Sequence, residues 1–191
     1  MAEFLDVRNP DGTVTGETVE KKLAHATGVL HGASHIWIWR VKDGKLEIML
    51  QHRAPTKSSF PDCFDISAAG HLTAGESYFE GAQRELFEEL GVKATEEQLI
   101  FFGWLKEDIK AEFFGKPYYN REVSALYLYE TDLDEEAFTL QTEEVSEVKW
   151  MDAESIIPNA KAGVFEHCLR FDEVERAIEA AKAELAKRRI Q

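Results

Sequence analysis

A capped helix that carries a run of glutamates constrains this chain more than any other feature of its sequence. Ser77 and Glu80 form the capping box that begins a helix, and Gly91 stands where helices commonly end on a left-handed residue. The range Ser77–Leu90 is therefore predicted to be helical. Its apolar residues recur at helical spacing and predict one buried stripe, which consists of Phe79, Ala82, Leu86 and Leu90.

Three glutamates of this helix lie three and four residues apart on one surface: Glu85, Glu88 and Glu89. Like charges at such spacing cost roughly a few tenths of a kcal/mol per pair, so a positive group should offset them. Arg84 can neutralise one carboxylate, and divalent cations can satisfy the others. Mg²⁺ suits such a cluster because it prefers carboxylate oxygens, retained waters and substrate phosphate oxygens. Gly70 and Gly75, just before the helix, allow a sharp bend that would bring a backbone carbonyl near the metal.

The segment from Gly70 to Val92 follows the pattern Gx5Ex7REUxEExGU, in which U is an aliphatic residue, at every position. This segment resembles the Nudix box. The resemblance implies an α/β (α+β) Nudix fold, in which a mixed β-sheet lies between helices and the box forms a loop, a helix and a second loop. It also implies a small-molecule substrate with a diphosphate linked to another moiety, and Mg²⁺ or Mn²⁺ as cofactor.

The resemblance also implies a role for each matching residue. Glu88 and Glu89 would be the principal metal ligands, and Gly70 would offer its carbonyl. Glu85 would be a further ligand or the base that orients water, and Arg84 would hold a box glutamate in place.

Three residues outside the box are further candidates for the site. Glu122 lies on a later predicted strand and is the alternative base, and the choice between Glu85 and Glu122 stays open. Arg53 and Lys57 precede the box and are predicted to contact substrate phosphate.

The resemblance extends beyond the box, to the Nudix branch that contains type I isopentenyl-diphosphate isomerase. In that isomerase, histidines at the positions of His25, His31 and His71 hold a metal together with two glutamates. Here Glu122 stands at one glutamate position and Asn120 at the other. A second metal site is therefore predicted at the histidines. The segments that carry the resemblance are Leu23-Ala24-His25, Leu30-His31, Gln51-His52-Arg53-Ala54 and Ala69-Gly70-His71.

One departure separates this chain from the isomerase. The isomerase needs a catalytic cysteine just before the box glycine, and Ala69 stands there. Since the glutamates of the box are complete, the prediction is a Mg²⁺-dependent hydrolase of a nucleoside diphosphate derivative or a related diphosphate. The alternatives are an enzyme like the isomerase and a non-catalytic sensor of a diphosphate metabolite.

The amino-acid composition of the chain limits the partners and the cellular location that we expect for it. The net charge of −14 disfavours nucleic acids and anionic membranes as partners. The start of the chain carries no apolar signal stretch, and no CxxC motif is present, so a cytoplasmic protein without disulfides is expected. The 191 residues predict a single domain. Its expected parts are a hairpin and short helix over 1–27, a core over 28–160 and a C-terminal helix over 161–191, and a homodimer is an open expectation.

Local patterns predict further elements. Hairpins are expected around Asn9–Gly12 and around Lys42–Lys45, because both segments carry turn residues between apolar runs. The remaining expectations are helical turns over Thr18–His25, a loop over Ala54–Asp62, a short strand over Phe64–Ala69, a charged loop over Lys106–Lys116, a strand over Tyr118–Tyr129, a helical turn over Asp152–Ile157 that ends before Pro158, and a helix over Phe171–Arg189.

Overall fold

The computed structural model describes residues 2–188, which form nine strands and four helices. The strands are β1 (Phe4–Arg8), β2 (Val14–Glu20), β3 (His31–Lys42), β4 (Lys45–Arg53), β5 (Phe64–Asp65), β6 (Ala68–His71), β7 (Leu99–Phe113), β8 (Lys116–Glu130) and β9 (Val145–Asp152). The helices are α1 (Lys21–Thr27), α2 (Tyr78–Leu90), α3 (Ile156–Lys161) and α4 (Phe171–Arg188). The last residues of the expected terminal helix, from Arg189, lie outside the described part of the chain.

Strand β3 is the centre of the main sheet, because it pairs with three other strands. It runs parallel to β8 and antiparallel to β4 and β6. The seven strands follow the order β5-β4-β3-β8-β7, with β6 on β3 and β9 on β4. The sheet is therefore mixed, as predicted.

Helices cover both faces of this sheet, because side chains of a strand alternate between its two faces. On one face Ile36 and Ile38 of β3 pack with Leu86 of α2. On the other face Trp37 and Trp39 pack with the apolar side of α4. The predicted arrangement, a mixed sheet between helices, is confirmed.

The N-terminal hairpin forms as predicted, but its second strand is longer than expected. Strands β1 and β2 make a separate two-stranded sheet, and Phe4 pairs with Glu20. The prediction of helical turns from Thr18 was wrong for its first three residues. Val19 is buried against Leu5 in the hairpin core, so this part of the chain gains more from pairing than from a helix.

The charged segment Lys106–Lys116 is not a loop, and that prediction was wrong. Strands β7 and β8 pair without interruption from Gly103 to a tight turn at Phe114 and Gly115, both with positive φ. Exposed and half-buried residues alternate along β7. The charged residues therefore lie on a pleated two-stranded ribbon. Because they occur on both of its faces, the sequence does not alternate between apolar and polar residues as a typical strand does.

Two smaller predictions also need correction. The expected strand Phe64–Ala69 is divided into β5 and β6, and Ser67 lies between them. Its hydroxyl accepts a hydrogen bond from Ile38 N at 2.7 Å and donates one to Met49 O at 2.5 Å. Pro158 is the third residue of α3 and does not lie beyond its end. Proline is tolerated there because the N–H groups in the first turn of a helix have no intrahelical acceptor.

Among the described residues, no helix combines the length and the apolar character needed to cross a membrane.

Candidate active site

The predicted helix forms as α2, and its ends are fixed as the sequence indicates. The Ser77 hydroxyl accepts a hydrogen bond from Glu80 N at 3.2 Å, while the Glu80 carboxylate accepts one from Ser77 N at 2.9 Å. Gly91 ends the helix with φ of 71°. Because α2 is capped at both ends, the glutamates between them are held at fixed positions against the sheet.

Gly70 lies on β6 and lets the backbone of that strand touch α2. A Cβ atom at this position would lie 1.9 Å from Oε1 of Glu85. An added side chain would displace the Glu85 carboxylate, so the glycine of the box lets that glutamate lie directly against β6.

Arg84 connects four parts of the box. Its guanidinium donates to both carboxylate oxygens of Glu76, at 2.8 and 2.9 Å, and to the His71 carbonyl at 2.9 Å. It also donates to Glu85 at 2.6 Å and to Glu88 at 3.0 Å. These carboxylates raise the pKa of Arg84 above its usual value, so its charge is permanent.

Glu89 is a buried carboxyl, 3% exposed, at the base of the site. One of its oxygens accepts hydrogen bonds from Gln51 at 3.3 Å and from the Ala69 backbone at 3.2 Å. Burial and then repulsion by Glu85 raise the pKa of Glu89 to about 8, although Lys57 opposes the shift. Burial also raises the pKa of Glu85, with a further contribution from Glu88.

These residues fit a divalent cation. Glu85, Glu88 and Glu89 present carboxylate oxygens on one side of α2, and two of the three are largely buried next to one another. Buried like charges are unfavourable unless a cation or proton compensates them. The oxygen-only donor set beside the Gly70 backbone is the kind that Mg²⁺ and Mn²⁺ prefer.

The three histidines that the sequence singled out meet in space. Their ligand atoms lie within 4.8 Å of one another. His71 is 2.9 Å from Glu122, and His25 and His71 approach to 3.3 Å. His31 is fully buried, and its Nε2 atom has no hydrogen-bond partner among the described residues.

Within this histidine cluster, the lowered pKa values favour neutral His25 and His71 rings beside an ionised Glu122 carboxylate. Burial, then His71 and His31, lower the pKa of His25 to about 3. Burial also lowers the pKa of His71. Burial of Glu122 opposes its ionisation, but the neighbouring His31 and His71 rings lower its pKa well below the usual range. Neutral imidazoles with an ionised carboxylate are a donor set that a transition metal could use.

Arg53 and Lys57 lie at the rim of the same cavity, and both are engaged with the protein. Arg53 donates to the carbonyls of Phe60 at 2.8 Å and Ser59 at 2.9 Å, and it pairs with Asp65 at 3.1 Å. Arg53 therefore shapes the loop after β4. Lys57, on that loop, pairs with Glu144.

Three polar residues of the site were not identified from the sequence: Glu107, Arg170 and Glu173. Glu173, in the first turn of α4, accepts hydrogen bonds from His35 at 2.8 Å and Trp37 at 2.9 Å. Glu107 on β7 lies 3.6 Å from Arg170. Charged residues on both faces of β7 hid the alternation that would have indicated Glu107, and no local signal places α4 against β3.

Most of these groups line one cavity of about 710 Å³, although the fully buried His31 does not. The wall of the cavity includes the box residues Glu85, Glu88 and Glu89, the histidines His25, His35 and His71, and Glu107, Arg170 and Glu173. The site is thus an acidic cavity with one edge formed by the box.

The profile of the family described as NUDIX domain matches residues 31–168. The chain belongs to the Nudix domain family, and the resemblance of its box is confirmed.

Curated relatives agree with this family. Nudix hydrolase CA_C0446 of Clostridium acetobutylicum is 36% identical over 143 residues, which cover 75% of this chain and 66% of the relative. Nudix hydrolase 3 of Arabidopsis thaliana is 39% identical over 152 residues, 78% of this chain and 19% of the relative. The matched part is less than two thirds of either relative.

The resemblance to the isomerase branch also appears among the relatives. An isopentenyl-diphosphate Delta-isomerase of Aliivibrio fischeri is 28% identical over 163 residues, 85% of this chain and 87% of the relative. The inference from Ala69, that the isomerase's cysteine is missing here, stays a prediction.

A solved structure shows the same fold. The protein DR0079 from Deinococcus radiodurans superimposes with a TM-score of 0.66 at 22% identity, over 92% of this chain and 99% of that chain.

Proposed function

We propose that this chain is a Mg²⁺- or Mn²⁺-dependent hydrolase of a diphosphate linked to another moiety, with a nucleoside diphosphate derivative as the expected substrate. The observation that carries the proposal is the buried Glu89 beside Glu85 in the wall of an open cavity. Two adjacent buried carboxylates would destabilise the protein if they bound nothing. A divalent cation with a bound diphosphate would compensate their charge and remove that cost.

The proposed metal ligands are Glu85, Glu88 and Glu89 with the carbonyl of Gly70. A divalent cation bound there would neutralise diphosphate oxygens and lower the pKa of a water molecule. The residues of the chain then orient the water and accept its proton. The water oxygen attacks phosphorus, the proton passes to a carboxylate, and the phosphate leaving group departs with the electrons of the broken P–O bond.

Glu85 is the proposed base rather than Glu122. Glu85 Oε1 accepts a hydrogen bond from Arg84, while its Oε2 accepts none from the residues that the structure describes. Glu122 is surrounded by His31, His35 and His71, and its oxygens are engaged there. We assign Glu122 to the organisation of the proposed second metal site.

Lys57 is the proposed contact to substrate phosphate, and Arg53 is the proposed source of positive charge beside it. Lys57 has a flexible side chain and a single exchangeable partner, Glu144, so it can move to a phosphate oxygen. Arg53 keeps its protein contacts and contributes its positive charge to the cavity.

A panel of diphosphates tests the proposal. Purified chain with Mg²⁺ is offered nucleotides, sugar nucleotides, dinucleoside polyphosphates and prenyl diphosphates. Turnover of at least one compound, lost when the metal is chelated, is the expected result. Glu85→Gln should lower kcat by about 10²-fold or more, and Glu122→Gln by less. Glu112→Gln is the matched control, because Glu112 is an exposed glutamate of β7, the strand that pairs with the β8 strand of Glu122.

Other outcomes would favour the two alternatives. Tight binding without turnover would favour a sensor. Exchange of solvent deuterium into isopentenyl diphosphate would favour an isomerase, for which the assembled histidines and the Aliivibrio relative are the supporting observations.

Three further expectations stay predictions. They are a single domain with the parts 1–27, 28–160 and 161–191, a homodimer and a cytoplasmic location.

A further inference from the structure

The cavity has a second polar end on strand β7, opposite the box. Gly70 on β6 and Glu107 on β7 are separated by the pairings β6–β3, β3–β8 and β8–β7. Three strand spacings amount to about 14 Å. A diphosphate held at the box therefore leaves room in the cavity for the group that is attached to it.

Asn120 carries an unused hydrogen-bond acceptor at this end. Its residue is 5% exposed and lines the cavity. Its amide nitrogen donates to Glu107 at 3.2 Å, while its Oδ1 atom has no partner in residues 2–188. A buried amide oxygen without a partner is unfavourable, so a donor from a ligand would be favourable there.

The groups around Asn120 offer both acceptors and a donor. Glu107 and Glu173 are carboxylates of the cavity wall, and Arg170 lies 3.6 Å from Glu107. A hydrocarbon chain would remove water from these groups and return no hydrogen bond. A hydroxyl group can both donate and accept, so several hydroxyls match this wall.

We propose that Asn120, Glu107 and Arg170 form a subsite that binds a polyhydroxylated, sugar-like part of the substrate and discriminates against a hydrocarbon chain. The inference rests on the proposed function, because the position of the diphosphate at the box orients the rest of the substrate. Asn120 and Glu107 are the specificity-determining residues.

Calorimetric binding tests the subsite without turnover, in a Glu85→Gln background that keeps Glu88, Glu89 and the Gly70 carbonyl as the proposed metal ligands. The probes are ADP-ribose, UDP-glucose and isopentenyl diphosphate, each with Mg²⁺. At least one sugar-containing compound should bind about 10-fold tighter than isopentenyl diphosphate. Asn120→Leu and Glu107→Gln should each weaken that binding about 10-fold and leave isopentenyl diphosphate within about 2-fold. Glu112→Gln, exposed on the same strand, is the matched control and should change neither.

Three outcomes would overturn the subsite: equal affinity for isopentenyl diphosphate, no binding of either sugar-containing compound, or unchanged affinities in both folded variants. Failure of the proposed function gives a different signature. In that case the wild-type chain hydrolyses none of the panel, while the binding preference and its loss in the variants remain.

Discussion

At the scale of single residues, the contact between Gly70 and Glu85 fixes the position of the catalytic glutamate proposed for the box. A Cβ at position 70 would meet the carboxylate at 1.9 Å, so either the glutamate or β6 would have to move. A shift of about 1 Å in a catalytic group can cost about 10²-fold in rate.

We therefore expect Gly70→Ala to lower kcat/KM for the diphosphate substrate by about 10²-fold while the chain remains folded. Steady-state kinetics and circular dichroism measure the two effects. Gly16→Ala is the control, because Gly16 has φ of 90° but no atom within 4 Å of an added Cβ. It should lose stability but keep its activity per folded molecule. Full activity of Gly70→Ala would contradict the contact argument.

Glu89 provides a second prediction at this scale. Glu89→Gln removes a buried carboxyl whose ionisation is opposed by burial and by Glu85, so above about pH 8 the metal-free variant should be at least as stable as the wild type. Mg²⁺ should raise the Tm of the wild type and leave that of the variant unchanged, since ligand binding to the folded state stabilises it. Thermal unfolding with and without Mg²⁺ measures both; an equal Mg²⁺ shift in the two proteins would remove Glu89 from the metal ligands.

The box residues were predictable from the sequence because they lie within one short segment with fixed spacing. The polar residues on the other side of the cavity were not. Glu107 and Glu173 are 66 residues apart, and only the pairing of β7 with β8 and the docking of α4 bring both to the cavity wall. Neither event has a local sequence signal.

Helix α2 is the element whose stability depends most clearly on local chemistry. Both bonds of its capping box are present, and Gly91 ends it in a left-handed conformation. The sequence predicted this helix correctly because its signals are within a few residues of its ends. The strand Tyr118–Tyr129 was also predicted and lies within β8, but the outer part of ribbon β7–β8 over Lys106–Lys116 was missed because charged residues lie on both of its faces.

Ser77→Ala should lower the free energy of unfolding by about 1 kcal/mol, since the substitution leaves the Glu80 N–H without its side-chain acceptor. Urea denaturation measures the change. Ser77→Asp retains an acceptor at the N-cap and should recover most of the stability. A loss as large in Ser77→Asp as in Ser77→Ala would show that the cap is not the cause.

At the scale of the whole molecule, a buried ion pair between β3 and α4 adds to the apolar packing that joins them. His35 donates a hydrogen bond to Glu173 at 2.8 Å, and both side chains are largely buried. Burial opposes the charge of His35, but Glu173 and then Glu122 outweigh it and raise the pKa of His35 to about 9. The pair therefore fixes the helix whose first turn borders the cavity.

The pH dependence of this pair has a definite sign. Because the pKa is higher in the folded state than in the unfolded state, the stabilisation is complete below about pH 6.5 and is lost as pH rises through about 9. We expect the loss to be on the order of 3 kcal/mol. His35→Gln should lack this slope, and the difference between wild type and variant in urea denaturation at several pH values isolates it. Parallel pH profiles of the two proteins would contradict the assignment.

The central claim, that water attacks phosphorus at the box, is tested most directly by isotope incorporation. The substrate found in the diphosphate panel is hydrolysed in water enriched in ¹⁸O, and the products are examined by mass spectrometry. We predict one ¹⁸O atom in a phosphate-containing product, with Mg²⁺ present, and no reaction after the metal is chelated. Turnover that leaves every phosphate unlabelled, with ¹⁸O in the other product, would mean attack on carbon and would contradict the account.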